Sequence, residues 1–245
     1  MQGLRSNDQV NLSGLTGRQL KKQIRDLLDS DIDIREIFGA AARIPARTAV
    51  NPLFACFYNR SQRVKWRAVA LMGFIVSGLA EHEMESARVI MRRLMWNLND
   101  ESGGIGWGSP EAMGEIMARS NKVADEYGAI LGSYVRRDQN FLEHEGLQRG
   151  SIWGVGRLAA IRPALLQDTA EDLRLFLASP DPYHRGYSAW ALGNLGDAKA
   201  VPEIERLIDD YSPIEMFIGL EFAATEVAHL AKAALTKISN REKPC

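Results

Sequence analysis

The sequence predicts an all-α protein, an α–α superhelix of stacked helix pairs. Three observations point there. Apolar residues recur at helical spacing from the segment GRQLKKQIRDLL nearly to the C-terminus, while alternation of period two is almost absent. Most of the nine prolines fall between the periodic stretches, where they end one helix or start the next. Four segments align with one another: Trp66 to Ile75, Trp107 to Ile116, Arg149 to Leu158 and Gly186 to Leu195. Each carries glycine at its eighth residue, Gly73, Gly114, Gly156 and Gly193, at intervals of 41, 42 and 37 residues. A glycine has no Cβ, so a neighbouring helix can approach it closely.

Composition bounds the rest. With 46% hydrophobic residues the chain of 245 can bury a core, which argues against disorder. The 30 basic and 31 acidic residues leave a formal charge of −1, so a general phosphate-binding surface is not expected. The two cysteines, Cys56 and Cys245, form neither a disulfide framework nor a zinc-ligand spacing. The opening residues have no apolar signal core, and the longest apolar run, Ala68 to Ala80, is 13 residues where a membrane span needs roughly 20. A cytoplasmic protein without membrane contact is the expectation.

In chain order, residues 1–14 read as a mobile polar tail and 15–245 as a single solenoid. Residues 15–60 form an N-terminal helical cap, opened by a capping box of Thr16 with Gln19. A weak further copy of the repeat places Gly39 at the glycine position. Residues 61–210 hold the repeats and 211–245 a C-terminal cap. In that cap, Met216-Phe217-Ile218 and Phe222-Ala223-Ala224 would flank a turn at Gly219 as one short β-hairpin. A last helix would run from about Thr225 to Ile238. The alternative is one longer helix.

The segment Asp181 to Asp210, DPYHRGYSAWALGNLGDAKAVPEIERLIDD, resembles a HEAT repeat of the phycobilin-lyase-like type. It shows the charged start, the A-x-ALG-x-LGD helix and the short A-V-P second helix of that type. The other three segments are looser copies. The resemblance implies a HEAT-like solenoid over roughly residues 60–240. The stretch Arg92 to Glu115 is also similar to an uncharacterised group of bacterial HEAT-repeat proteins, a likeness that carries no activity with it.

Stacked repeats place equivalent residues in ladders along one groove. Three residues before each aligned glycine stand Ala70, Glu111, Trp153 and Trp190, where the resemblance leads one to expect polar or variable residues. One helical turn away lie Trp66 and Phe74, Trp107 and Glu115, Arg149 and Arg157, Gly186 and Asn194. Trp96, Trp107, Glu111, Glu115, Arg149, Trp153, Arg157, Trp190 and Asn194 are therefore the candidate partner-binding residues. Tryptophan and arginine are favoured interface anchors. The same residues also fit a structural network of Glu–Arg pairs with tryptophans wedged between repeats. The segment Trp96 to Gly108, with Gly103, Gly104 and Gly106, reads as a loop with either a binding or a structural role. Ser109 and Pro110 would cap and open the helix after it.

Other chemistries fit less well. The pairs His82-Glu83 and His144-Glu145 do not repeat at the spacing of an iron-binding HEAT hydroxylase, and Glu226 with His229 supplies only one Glu-x-x-His. Glu111 and Glu115 would make an acid/base pair only if buried together. Cys56 in LFACFYN reads as a packed, inert thiol. Arg92-Arg93 and Arg136-Arg137 are too few contacts for a duplex. The expectation is a non-catalytic scaffold that binds another protein in its groove, with no cofactor, no metal and no nucleic acid. The alternative that the resemblance implies is a bilin lyase-like enzyme or chaperone, with tryptophans stacking a tetrapyrrole and arginines holding its propionates.

Overall fold

The computed structural model of the chain describes residues 14–15, 17–99 and 105–242. Expectations about residues 1–13, Thr16, Asp100 to Gly104 and Cys245 lie outside the described residues. The first three helices, α1 (Gly17–Asp29), α2 (Ile34–Ala41) and α3 (Ala46–Cys56), pack on one another and on the long α4 (Gln62–His82). Leu20, Ile24 and Leu28 stand on one stripe of α1 and are buried, as the sequence spacing requires. Gly39 is exposed and faces no neighbouring chain, so the weak N-terminal copy does not act as a notch.

From α4 onward the helices pair. α4 is followed by α5 (Met84–Trp96), α6 (Ser109–Arg119) by α7 (Asn121–Ser133), and α8 (Glu145–Ala159) by a 3-10 turn and α9 (Ala170–Leu175). α10 (Pro182–Leu195) is followed by a 3-10 turn and α11 (Val201–Glu205). Strands β1 (Pro213–Ile218) and β2 (Glu221–Glu226) form an antiparallel hairpin before α12 (Val227–Glu242). Pro110, Pro163, Pro182 and Pro202 lie in first turns as expected, whereas Pro52 lies inside α3. Gly196, at φ 76°, supplies the left-handed residue that ends α10.

The first helices of the pairs stack in the order α4, α6, α8, α10, α12, and the notch glycines face along that order. A methyl placed on Gly73 would meet Glu115 of α6, on Gly114 the Gly154 backbone of α8, on Gly156 the Trp190 ring of α10, and on Gly193 the Ala234 backbone of α12. The repeated glycine thus marks the contact to the following repeat. No described helix is long and apolar enough to cross a membrane.

The C-terminal cap contains the short hairpin, with the pairing Ile218↔Glu221 closing a two-residue turn at Gly219 and Leu220. Each strand is longer than the apolar triplets suggest. α12 begins at Val227, two residues later than expected, because Thr225 and Glu226 pair with Ile214 and Pro213.

Candidate functional site

The face formed by α4, α6, α8 and α10 carries the predicted ladder, and the hairpin lies on it. The indole Nε1 of Trp153 donates to the Phe217 carbonyl at 3.1 Å, and the Tyr187 hydroxyl donates to the Glu215 carbonyl at 2.7 Å. Phe217 stacks on Trp66 with ring centroids 5.5 Å apart, and Trp66 meets Trp153 at 4.7 Å. Ile214 enters the space left by Gly186. An extended strand with unpaired carbonyls is an exposed edge. Here two side-chain donors from α8 and α10 satisfy two of those carbonyls.

This arrangement corrects the expectation of an open aromatic ladder. Trp153 and Trp190 are buried, at 1% and 8% exposure. The hairpin covers Trp153, and the ring of Trp190 fills the space over Gly156. Asn194 is buried as well; it donates to the Gly156 carbonyl at 3.0 Å and accepts from Lys237 Nζ at 2.6 Å. These three residues tie repeats together and do not face solvent.

The carboxylates are also buried. Glu115 accepts from Arg119 at 2.7 Å and from Arg157, one repeat on, at 2.6 Å. The pair between Glu115 and Arg157 fits the alternative of a structural Glu–Arg network, and Glu115 is buried within it. Glu111 accepts from Lys65 Nζ at 2.8 Å. Its neighbour on the next rung, Arg149, instead donates Nε to Asp181 at 2.5 Å. Glu111 and Glu115, both buried, bind different cations.

What stays open is a cleft of about 410 Å³ at the N-terminal ends of α4, α6, α8 and α10. Trp107, Glu111 and Arg149 of the predicted set line it, joined by Lys65, Trp66, Tyr183, Tyr187 and Phe222. Lys65 lies over the Trp66 ring at 5.4 Å and Arg149 over the Tyr183 ring at 4.6 Å. Burial pushes the Tyr187 hydroxyl well above its ordinary value, so it stays a donor to the hairpin. Sequence reading missed Lys65, Tyr183, Tyr187 and Asp181. One signal pointed to the cleft wall: Gly146, Gly150 and Gly154 recur every fourth residue along α8. A methyl there would meet, in turn, the Trp107 ring, the Glu111 carboxylate and the Pro110 carbonyl. That stripe lets α6 and its side chains settle against α8.

Trp96 does not join this site. It is 55% exposed and lines a separate cleft with Tyr134, Phe141, Leu142 and Leu147. Trp107 packs edge-on against His144, which caps α8 by accepting from the Gly146 amide. The expected Ser109 cap of α6 is replaced by Gly108 at φ 76°, whose missing Cβ leaves room for the Phe57 ring. Arg92 pairs with Glu85, and Arg93 lies over Phe54 at 3.9 Å, so these two arginines are held by the chain itself. Cys56 is buried, and desolvation pushes its thiol up to about 11.

Residues 185–210 match the family described as PBS lyase HEAT-like repeat. The fold is a HEAT-like repeat solenoid. An uncharacterized protein of Archaeoglobus fulgidus is 27% identical over 180 residues, covering 73% of this chain and 91% of its own length. Among solved structures, an engineered protein superposes with TM-score 0.56 at 17% identity, covering 94% of each chain. A designed armadillo repeat protein in complex with the peptide (KR)4 superposes with TM-score 0.53 at 20% identity, covering 93% of this chain and 96% of its own. These likenesses concern the fold.

Proposed function

We propose that this HEAT-like solenoid is a non-catalytic interaction scaffold that grips a protein partner at the cleft beside its hairpin. One observation carries the reading. The groove of the solenoid is filled by the chain's own β1, and the cleft at its end remains open with aromatic walls and charges held in place. Aromatic anchors ringed by fixed polar groups suit a binding hot spot. The designed armadillo protein bound to (KR)4 supports a peptide as the kind of partner such a fold takes.

The test uses two exposed lining residues that hold no part of the fold. Tyr58 and Arg60 rim the cleft and are exposed. The tagged chain is expected to co-purify one protein in stoichiometric amount from its native cell, and Tyr58→Glu with Arg60→Glu to lose it at unchanged helix content. Retention of the same protein by the double variant would overturn the assignment to this cleft.

The alternative, a tetrapyrrole lyase or chaperone, is supported by the repeat family that residues 185–210 match. It loses two of its stacking surfaces, since Trp153 and Trp190 are covered. A change in visible absorbance with quenching of tryptophan emission on adding a tetrapyrrole would favour it over the scaffold.

A further inference from the structure

We infer that the cleft is a receptor for a carboxylate carried beside an aromatic or large apolar group, with Arg149 as its anchor and a partner's C-terminal residue as its occupant. The inference rests on the scaffold reading above and adds the chemistry of the partner.

Arg149 is built as a receptor rather than left as a surface charge. Its Nε donates to Asp181 Oδ2 at 2.5 Å, and its guanidinium lies 4.6 Å from the Tyr183 ring centroid. Asp181 is itself fixed, because its other oxygen caps α10 by accepting from the Tyr183 amide at 2.9 Å. The side chain of Asp181 is only 9% exposed, whereas that of Arg149 is 40% exposed. Among the described residues Nη1 and Nη2 donate to nothing. A guanidinium with one edge and one face fixed presents its remaining N–H groups as a pre-organised fork. That fork matches the two oxygens of a carboxylate.

The cleft is lined by three cations, Arg60, Lys65 and Arg149, and by two carboxylates, Glu111 and the exposed Glu215, so its balance favours an anion. Glu111 is occupied by Lys65 at 2.8 Å. Two of the lining aromatic faces already hold a cation each, Lys65 on Trp66 and Arg149 on Tyr183. An incoming ammonium would meet those two cations. An incoming carboxylate would find unspent N–H groups on Arg149. The remaining wall, Trp107 and Phe222, takes an apolar body. A space of about 410 Å³ suits one residue with its terminal carboxylate better than an extended segment.

The chain end is mimicked by N-acetylphenylalanine, with N-acetylphenylalanine amide and phenethylamine as the uncharged and cationic controls. Binding to the full chain is followed by the indole N–H signals of its tryptophans. The acid is expected to move the Trp66 and Trp107 signals, to leave Trp96 unmoved, and to bind about tenfold or more tightly than the amide. Arg149→Met should erase the difference between acid and amide. The acid and the amide are compared in the native chain first, so the result stands even if Arg149→Met fails to fold. Equal binding of acid and amide, preference for phenethylamine, or no signal from the acid at saturating concentration would overturn the inference. Acid binding without any co-purifying protein would overturn the scaffold reading and leave the anchor role of Arg149 intact. Loss of a partner in the Tyr58 and Arg60 double variant, with no acid preference, would do the reverse.

Discussion

At the scale of single residues, the chain spends small side chains where helices meet. At Gly114 backbone meets backbone, since a methyl there would stand 2.6 Å from the Gly154 Cα and carbonyl oxygen. Backbone cannot move aside as a flexible side chain can, so Gly114→Ala should cost about 1–3 kcal/mol or more by overpacking. Denaturant unfolding measures it. Five residues before three of the notch glycines stand Ser109, Ser151 and Ser188, all fully buried, with hydroxyls that find no hydrogen-bond partner among the described residues. The first repeat has Ala68 at the equivalent position. An unsatisfied buried hydroxyl is costly, so Ser151→Ala and Ser188→Ala should leave stability unchanged or raise it by about 1 kcal/mol. A loss of more than that in the same unfolding assay would mean that the hydroxyls are bonded. Cys56 gives a pH test. Its thiol ordinarily ionises near 9.0 and is pushed up to about 11 by burial. The unfolded chain therefore releases this proton first, and the contribution of Cys56 to stability should fall as pH rises from 9 towards 11. Cys56→Ala should flatten that part of the pH–stability curve.

At the scale of elements, the hairpin turn is strained in a particular way. Gly219 and Leu220 have φ of 63° and 75°, the signs of a type I′ turn. Glycine adopts this without cost, but leucine in the left-handed region costs roughly 1–2 kcal/mol. The leucine side chain packs against the core, which offsets the strain. Leu220→Ala keeps the strain and loses the packing, while Leu220→Gly loses both. The smaller residue should therefore give the more stable protein of the two, by about 1 kcal/mol. The reverse order on thermal unfolding would mean that Leu220 is not strained in solution.

At the scale of the whole molecule, the hairpin changes how a repeat protein holds together. In a solenoid in which each repeat touches only its neighbours, stability is the sum of each repeat's own term and its interfaces with the next, so distant repeats are coupled only through those between them. Here Phe217, which follows the fourth helix pair, stacks on Trp66 of the first, and Trp66 touches Trp153 across the intervening pair. These contacts join elements far apart in the stack. Phe217→Ala should cost about 3–5 kcal/mol. It should also separate the amide-exchange protection of α4 from that of α12, which otherwise open together. If exchange in the two helices is already unlinked in the native chain, the hairpin is a cover and not a tie.

Much of this plan was readable before any coordinates. The spacing of Gly73, Gly114, Gly156 and Gly193 marked the repeat and its register, because a missing Cβ at a helix crossing is written directly in the residue type. The short hairpin also followed from apolar triplets about Gly219. The sequence could not say which way the hairpin folds. Trp153 and Trp190 occupy positions that an open groove would leave wet, and only the return of β1 across the stack makes them interior. The same return leaves the cleft at Arg149, where residues from α4, α6, α8, α10 and the hairpin meet. Local spacing determines which helices form and which faces they share. Contacts between residues more than 60 positions apart, such as Trp153 with Phe217, depend on how the whole chain closes, and the tertiary structure alone decided them.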